Sequence, residues 1–419
     1  MSSFSIALSG LTAASTDLSV TANNIANADT IGFKSSRAEF ADLYATGAAN
    51  LNQSTTGEGV ELSTNAQQFT QGDITTTSSN LDLAISGDGF FTLKSSNGIS
   101  YTRNGQFQES STGNVVTPDG AALQVYPTLP NGGFNTGTTT DLNLQTSQSA
   151  PSATTTGSVI LNLPANTTPP VGTPFNPNDS TTYNESTSTT VYDSLGTAYP
   201  ATMYFSATAN PNVWAVNMTI NGKNVTSTTA VPTTSLLTFG ANGSLTSASN
   251  AGTTNAQGNL NFAYTPTDGA SPMALSVNFG TTTAYGGQFG VTSITQNGFA
   301  TGQLSTVAVD ASGIVSAVYT NGRSTELGQL AMANFPNTQG LKQLGSTSWS
   351  QTFDSGDVVQ GTAGSASFGS IQSGALESSN VDLTTELVNM ITAQRAFDAN
   401  AQVVTTANQE SQTVTQISR

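Results

Sequence analysis

Cysteine and histidine are both absent from the 419-residue sequence. The chain therefore has no disulfide, thiolate nucleophile, Cys/His metal site, Ser-His-Asp triad or histidine general base, and we predict no cofactor and no metal. Charge is scarce, since 8% of residues are charged where about 25% is usual. The 25 acids and 9 bases give a net charge of −16. Nine scattered bases cannot neutralise a run of phosphates, so we expect no nucleic-acid partner.

Long apolar runs and an N-terminal targeting pattern are also missing. No segment approaches the roughly 20 apolar residues of a membrane helix, which predicts no membrane insertion. The first basic residue is Lys34, so no charged region precedes an apolar core as in a secretory signal. The many Ser, Thr, Asn, Gln and Gly residues are nevertheless typical of extracellular bacterial surface proteins. We therefore expect an extracellular location, reached by export without a cleaved signal peptide.

Two terminal segments, residues 4–28 and 382–418, have apolar residues at helical spacing. They contain no proline and a single glycine, Gly10, and their seven-residue spacing predicts one seam along each helix. The predicted N-terminal seam comprises Phe4, Leu8, Leu11, Ser15, Leu18, Ala22 and Ile25. The predicted C-terminal seam comprises Leu383, Leu387, Met390, Gln394, Phe397, Ala401 and Val404.

Capping residues stand where these helices should begin and end. Asn380 or Asp382 is the expected N-cap of the second helix. Asn27 and Gly32 tolerate the left-handed conformation that commonly ends a helix, so they mark the end of the first.

Further apolar residues lie outside the two seams. Ile6 and Val20 lie opposite the seam of the N-terminal helix, and Val388 and Ile391 lie outside that of the C-terminal helix. Helices that are apolar on several sides are buried on several sides. One interpretation is that the helix pair completes the core of one globular domain. The favoured one is that other copies of the chain cover the outer stripes, because repeated head-to-tail association builds a helical filament. We therefore predict a homopolymer whose subunits pack through these helices.

Residues 71–145 and 299–355 have the short apolar runs and turn residues of a discontinuous β domain. The stretch Gly87-Asp88-Gly89, followed by Phe90, indicates a hairpin turn. A calcium loop is the alternative, but no further acids follow at the required spacing. A helical or mixed segment is expected near Glu326–Asn334.

The middle of the chain, residues 146–298, has a different composition. Residues 151–300 hold only five charged residues, and short apolar runs alternate with stretches rich in Ser, Thr and Pro. Low charge combined with apolar runs argues against disorder, so we predict an inserted β domain with long polar loops. The predicted fold class is α+β multidomain, with paired terminal α-helices and two mainly antiparallel β domains, the outer inserted into the inner.

Several motifs, all in register, resemble the bacterial flagellar rod and hook protein family. They are Thr21-Ala-Asn-Asn-Ile-Ala-Asn-Ala-Asp-Thr-Ile-Gly-Phe-Lys34, Gly87-Asp-Gly-Phe-Phe91, Tyr101-Thr-Arg-Asn-Gly-Gln-Phe107, Gly113-Asn-Val-Val-Thr-Pro-Asp-Gly120, Ser379-Asn-Val-Asp-Leu-Thr-Thr-Glu386 and Met390-Ile-Thr-Ala-Gln-Arg-Ala-Phe397. Together they cover about residues 1–145 and 299–419, in the family's order. The inserted segment matches no motif of its own.

The resemblance implies an architecture. Residues 1–30 and 379–419 would form a helical inner-tube domain around an export channel. Residues 31–70 and 356–378 would link this domain to the β domain at 71–145 and 299–355. The insertion at 146–298 would form the outer surface. Export would follow the flagellar type III route.

The resemblance also implies a function. The insertion is similar to the outer domain of hook proteins, which rod proteins generally lack. The expected function is that of a hook subunit, which self-assembles into a tubular helical polymer acting as a flexible joint between motor and filament. A distal rod protein of the basal body is the alternative. The implied partners are other copies, the distal rod, the hook cap, the hook–filament junction proteins and the flagellar export apparatus.

Two other function classes are less well supported by the residues. A glycosidase with two carboxylates is the most plausible enzyme for a chain without His and Cys. No acid pair stands out, however, and Trp214 and Trp349 are far apart in sequence, so we predict no enzyme and no catalytic residue. A surface adhesin is disfavoured by the paired terminal helices.

The N-terminal motif contains several polar residues with two interpretations each. The amides of Asn23, Asn24 and Asn27 are spaced to bond along a helix or across to a neighbouring subunit. Bonding between subunits is favoured over a solvent-exposed polar face with a C-cap. Gly32 is expected to supply a turn conformation closed to other residues, and Phe33 an anchor into the adjoining domain.

The C-terminal motif contains Gln394 and Arg395. Arg395 is interpreted as an ion-pairing surface residue. Pairing with an acid of a neighbouring subunit, such as Asp398, is the alternative.

Overall fold

The computed structural model describes residues 3–43, 57–144, 148–227, 235–250, 253–365 and 367–417. The chain divides into two compact units. The first contains residues 1–145, 306–318 and 324–419, and the second contains residues 146–305 and 319–323. The four-part division predicted from the sequence is finer than this one and stays a prediction.

Two helices belong to the first unit. Helix α1 is Ser3–Ala26, with 24 residues, and helix α2 is Leu383–Ile417, with 35 residues. The predicted terminal helices are thereby confirmed. Across the part of the chain that the structure describes, no helix is long and apolar enough to cross a membrane.

The two helices pack side by side and run antiparallel. Near the end of α1, Asn24 donates a hydrogen bond to Glu386 in the first turn of α2. Near the start of α1, Gly10 lies against Asn400, farther along α2. Because α2 is longer, its C-terminal turns extend past the start of α1.

The residues that the helix pair buries are small, and half of the predicted seam residues are exposed instead. The fully buried positions are Ala7, Ala14, Thr21 and Asn24 on α1, and Ala393 on α2. Seven predicted seam residues are exposed instead, namely Phe4, Leu8, Ser15, Ala22, Leu383, Leu387 and Gln394. Small side chains let two helices approach closely. Ala7 therefore lies between the helices, and the larger Leu8 next to it lies outside.

Thirty-one strands lie within the described residues, numbered here in chain order. The first ten are β1 (Ser36–Leu43), β2 (Gly59–Gln67), β3 (Ile74–Thr76), β4 (Leu83–Ser86), β5 (Phe90–Ser95), β6 (Gly98–Thr102), β7 (Gln108–Glu109), β8 (Val115–Val116), β9 (Ala122–Tyr126) and β10 (Thr140–Asp141). The next twelve are β11 (Thr156–Asn162), β12 (Glu185–Tyr192), β13 (Ala198–Ala207), β14 (Val213–Ile220), β15 (Lys223–Asn224), β16 (Thr226–Ser227), β17 (Ser235–Phe239), β18 (Leu245–Asn250), β19 (Thr253–Asn255), β20 (Asn259–Tyr264), β21 (Met273–Asn278) and β22 (Gly290–Gln296). The last nine are β23 (Leu304–Val309), β24 (Ile314–Tyr319), β25 (Ser324–Leu330), β26 (Met332–Asn334), β27 (Lys342–Gly345), β28 (Ser348–Ser350), β29 (Val359–Gly361), β30 (Ser370–Ser373) and β31 (Ala375–Glu377).

The first unit is built on a large sheet. Its main path is β23-β24-β25-β9-β5-β6-β28-β27, joined by five short strands to give 13 in the described residues. One cluster of its core is aromatic and includes Phe90, Tyr101, Phe335 and Trp349. Strands β1 and β2 form a separate antiparallel hairpin. The pairs β3–β31 and β4–β30 join early strands to the segment just before α2.

The second unit is a β-sandwich. Among the described residues, one sheet has the order β16-β20-β21-β11-β22, and the other has the order β12-β13-β14-β17-β18-β19, with β15 beside β14. Alternate residues of both sheets point into one shared core that contains Trp214 and Phe205. With the terminal helices, these mainly antiparallel sheets confirm the predicted α+β class.

Two local predictions are wrong. The segment near Glu326–Asn334 is not helical but forms β25 and β26, because pairing with β24, β9, β29 and β5 overrides the local propensity. The Gly87-Asp88-Gly89 turn does not close a hairpin, because β4 pairs with β30 while β5 pairs with β6 and β9. Instead, Gly369 packs against Gly87 and donates its N–H to the Asp88 carbonyl, at 2.8 Å.

The close contact between α1 and α2 predicts strong coupling between Gly10 and Asn400. A Cβ at Gly10 would lie 2.8 Å from Asn400 Oδ1. Replacing a helical glycine by alanine normally stabilises by about 1 kcal/mol. We expect Gly10→Ala to lose this gain in the wild type and to recover it in the Asn400→Ala background. Urea unfolding followed by far-UV circular dichroism measures all four chains. Effects that add within about 0.5 kcal/mol would contradict the close contact.

Candidate assembly surface and its supporting junction

The candidate assembly surface is the set of large apolar side chains that the helix pair leaves uncovered. Eight of them are exposed, namely Phe4, Ile6, Leu8, Leu383, Leu387, Val388, Ile391 and Val403. Eight more predicted packing residues are half-buried, namely Leu11, Leu18, Val20, Ile25, Met390, Phe397, Ala401 and Val404. Phe4, Ile6, Leu8 and Val403 lie toward one end of the antiparallel pair, and the other four lie toward the opposite end. Exposed apolar groups of this kind mark interaction sites.

The β1–β2 hairpin extends this surface beside α1. Ser9 Oγ accepts the N–H of Val60 at 3.2 Å, which fixes β2 against the helix. A groove of about 400 Å³ opens between Leu8 on α1 and Leu62 on β2. Phe40 and Leu62 on the hairpin are themselves exposed, at 39% and 45%. The uncovered apolar surface therefore includes the hairpin as well as the helices.

Asn24 holds the end of α1 to its own chain. It is 1% exposed, and its amide group donates to the Ser36 carbonyl at 2.8 Å and to Glu386 at 3.1 Å. Its Oδ1 accepts the Ser36 N–H at 2.9 Å. Both amide protons are therefore used within the chain, and the prediction that Asn24 bonds between subunits is wrong.

The other two asparagines of the motif differ from Asn24. Asn27 is half-buried, and its amide donates to the carbonyl of Asn23 at 2.9 Å, which closes the last turn of α1 as a cap. Its Oδ1 accepts the hydroxyl of Thr30 at 3.1 Å. Asn23 is exposed, and bonding between subunits stays a prediction for Asn23 and Asn27.

A buried ion cluster, defined by Lys34, Arg103 and Glu377, lies near the end of the helix pair where α1 ends and α2 begins. Lys34 and Glu377 side chains are 0% exposed, and Arg103 is 5% exposed. Lys34 Nζ lies 2.6 Å from Glu377 Oε1, and Arg103 lies 3.1 Å from Glu377 Oε2. Lys34 follows α1, Glu377 ends β31 just before α2, and Arg103 follows β6. The cluster therefore joins both helix ends to the large sheet.

Backbone groups supply further hydrogen bonds to the cluster, although Arg103 Nε has no hydrogen-bond partner among the described residues. Lys34 also donates to the Thr70 carbonyl at 2.7 Å, and Arg103 donates to the Gly87 carbonyl at 2.8 Å. The N–H of Gly72 donates to Glu377 Oε1 at 3.0 Å. Burial lowers the pKa of the Lys34 ammonium, and the attraction of Glu377 opposes that effect. Such a cluster is stable only because every charge has partners.

Gly32 and Phe33 occupy the turn that leads into the cluster. Gly32 has a φ of +69°, and its N–H donates to the Glu377 carbonyl at 2.8 Å. A Cβ there would collide with the Arg103–Asn104 backbone, so the turn needs glycine for both reasons. Phe33 is half-buried and borders a cavity beside Trp349, and its role as an anchor stays a prediction.

Arg103 also connects the Gly87–Gly89 turn to the core. Its guanidinium lies 5.5 Å from the ring centre of Phe90, a cation–π distance. Gly87 and Gly89 have φ values of +112° and +118°, so both glycines are required by the backbone. Asp88 is exposed, and within the described ranges no group of three or more acids, His or Cys is arranged to hold a metal.

Gln394 and Arg395 lie on the outer side of α2 and are both exposed. Within the described residues, Arg395 and Asp398 have no ion pair. Sequence reasoning missed the ion cluster, although Lys34 and Arg103 both stand inside the quoted motifs. Glu377 lies two residues before the motif that begins at Ser379, and only the fold brings it close to Lys34 and Arg103.

Four family models match separate parts of the chain. The family described as "Flagella basal body rod protein" matches residues 4–34, and "Flagellar hook protein FlgE/F/G D1 domain" matches residues 84–159. "Flagellar basal body protein FlaE D2 domain" matches residues 162–299, and "Flagellar basal body rod FlgEFG protein C-terminal" matches residues 372–417.

Full-length relatives carry one name. Flagellar hook protein FlgE of Escherichia coli (strain K12) is 39% identical over 414 residues, which cover 97% of each chain. Its counterpart in Rhizobium meliloti (strain 1021) is 34% identical, over 96% of this chain and 95% of the relative. The chain belongs to the flagellar hook protein FlgE family. This hook-family chain is a structural subunit of the bacterial flagellar hook, and the distal-rod alternative is not supported.

A solved structure shares the hook fold. The crystal structure of Helicobacter pylori flagellar hook protein FlgE2 superposes with a TM-score of 0.51 at 13% identity, covering 73% of this chain and 100% of that one. At this identity the likeness concerns the fold alone.

The buried ion cluster of the hook-family chain predicts a large cost for Glu377→Ala. The change leaves two buried cations without their carboxylate, and breaking a buried pair costs about 3–5 kcal/mol. Glu39→Ala is the matched control, because its pair with Arg37 is also 2.6 Å long but exposed, and exposed pairs contribute at most about 1 kcal/mol. Urea unfolding in a Trp214→Phe background, followed by Trp349 fluorescence, reports on the first unit. Equal costs for both substitutions would refute the role of the cluster.

The start of α2 predicts acid sensitivity. Asp382 accepts the N–H groups of Thr385 at 3.3 Å and Thr384 at 2.8 Å, which confirms it as N-cap, and these bonds lower its pKa. A depressed carboxyl pKa stabilises the fold above the ordinary value of 3.8 and loses that contribution as pH falls through the folded value. The neutral variant Asp382→Asn should therefore lose less helix signal below about pH 4 than the wild type. Identical acid titrations of the two chains by circular dichroism would contradict this.

Asn380, the alternative cap, has a different function. Its Oδ1 accepts the N–H of Ser35 at 2.8 Å, and its amide donates to the Gln68 carbonyl at 2.7 Å. It therefore joins the segment before α2 to the residue that precedes β1 and to the residue that follows β2.

Proposed function

We propose that copies of the chain assemble through the outer faces of α1 and α2 into a tubular helical polymer, the flexible joint that transmits motor torque to the filament. The observation that supports this is the apolar surface that the helix pair leaves uncovered. Full burial of an exposed large apolar side chain stabilises by about 1.5–3 kcal/mol, and these side chains, which are 38–58% exposed, would gain part of that when covered. Because α1 and α2 present different residues, we infer that one copy contacts the next through unlike surfaces. Such association builds an open helical filament when the rotation between copies does not close a ring.

The second unit supplies contacts of another kind. Its five charged residues in 151–300 include Asp193, which is fully buried, so the surface has even fewer charges. The exposed Ser, Thr and Asn side chains bind water and form hydrated contacts that exchange at low cost. We infer that these contacts slide as the tube bends, while the packed helices resist twist.

The proposal extends to location, export and partners. We infer an extracellular position in the hook, export by the flagellar type III route, and contacts with the distal rod, the hook cap and the hook–filament junction proteins. A structural role without catalysis agrees with the position of the two tryptophans. Trp214 and Trp349 are 3% and 2% exposed, so neither is a sugar-binding platform.

The experiment compares three substitutions with equal change of charge. Leu8→Asp and Leu387→Asp place a carboxylate on the exposed helix faces, and Ile99→Asp places one on β6, where Ile99 is equally exposed, at 51%. An unpaired charge buried at a contact is costly, so both helix variants should stop forming sedimentable tubes visible by electron microscopy. Ile99→Asp should assemble as the wild type does.

Circular dichroism of each monomer verifies that the fold is intact. Tubes formed equally by the Leu8→Asp and Leu387→Asp chains would overturn the proposed use of the helix faces.

A further inference from the structure

A polar cleft lies where α1, α2 and β1 meet. It has a volume of about 440 Å³ and is lined by Asp17, Val20, Phe40 and Glu386, among others. Asp17 carries the one charged side chain of α1. Within the described residues, its carboxylate has no hydrogen bond or ion pair, although it is half-buried. Partial burial raises its pKa, as expected of a carboxylate that lacks a partner.

The other charges at the cleft do not satisfy Asp17. Arg37 also lines the cleft, but its guanidinium is paired with Glu39 at 2.6 Å. Glu386 accepts the amide of Asn24 at 3.1 Å and adds a second negative charge. The cleft is therefore acidic and is flanked by the exposed ring of Phe40.

A complementary surface lies on α2. Arg395 is two residues from the buried Ala393, which places it on the opposite side of the helix. Val388 and Ile391 precede it on the same side, at helical spacings of seven and four residues, and they are 58% and 48% exposed. This stripe is apolar with one base, whereas the cleft is mostly polar, carries an unpaired acid and has Phe40 at its side.

The other bases of the described chain are less suited to Asp17. Lys34 and Arg103 are buried in the ion cluster, Arg37 is paired, and Arg323 stacks on Phe299. The remaining lysines lie on strands. Arg395 is the base that α1 and α2 contribute, and it stands among the exposed apolar residues that need covering.

We propose that Arg395 of one copy enters the cleft of a second copy and pairs with Asp17, while Val388 and Ile391 pack on Phe40. The inference rests on the proposed function and names one contact within it. Stripe and cleft are different surfaces of one chain, so the contact is heterologous and repeats along an open polymer. Opposite charges also fix the register of packing that apolar contacts alone leave loose.

Charge exchange tests the pair. Asp17→Arg and Arg395→Asp each juxtapose like charges between copies, and each should raise the critical concentration for assembly about tenfold or more. The chain with both substitutions re-forms the pair in reverse and should assemble within about threefold of the wild type. Sedimentation gives the critical concentration, and circular dichroism verifies each fold. Arg395 is exposed, so its substitution leaves the monomer intact.

A second exchange distinguishes Asp17 from Asp398 as the partner of Arg395. In the chain with Arg395→Asp and Asp398→Arg, the cleft still faces an acid, so assembly should stay as weak as in Arg395→Asp alone. Recovery there, failure to recover in the Asp17/Arg395 exchange, or single variants that assemble like the wild type would each overturn the inference while leaving the proposed function standing. Wild-type chains that never polymerise would overturn both.

Discussion

The structure depends on one buried carboxylate. Glu377 neutralises Lys34 and Arg103 where neither cation reaches water, and it belongs to the three residues of β31, which lead directly to α2. Desolvating three charges is unfavourable, and their mutual attraction compensates only when the geometry is held by all partners. The cluster therefore favours a single arrangement of the helix ends on the large sheet.

The helix pair above this cluster has two chemically different sides. Between the helices lie alanines and Gly10, which permit close approach. On the outside lie leucine, isoleucine and phenylalanine, which have no cover within the first unit. In an ordinary globular domain the large residues would be inside. The inversion fits a protein whose main apolar contacts are made with other copies.

The sequence predicted the helices, Asp382 as one of two possible caps of α2, and the family, because these depend on local spacing and on motifs read in order. It predicted only half of the seam. A seven-residue spacing identifies an apolar face, but it does not tell whether Leu8 or Ala7 is nearer the partner, since that depends on how closely the helices approach. The strands at Glu326–Asn334 and the pairing of β4 with β30 were missed because non-local partners decide them.

The site shows the same division between local and non-local information. The sequence placed Gly32, Gly87 and Gly89 in turns, and their positive φ values explain why glycine is needed there. Asn24 was assigned to the wrong partner because sequence spacing cannot distinguish Ser36 of the same chain from a group of a neighbour. Glu377 carried no local signal, since an acid before a helix is common on the surface and rarely buried.

The unequal length of the helices has a directional consequence. With Asn24 beside Glu386 and Gly10 beside Asn400, the start of α1 at Ser3 lies level with about residue 407. From that level α2 extends for about ten more residues, about 15 Å of helix. In the proposed assembly this projection would meet the next copy at every layer except the outermost one. The two tips of such a stack would then be chemically unlike, and growth would have a defined direction.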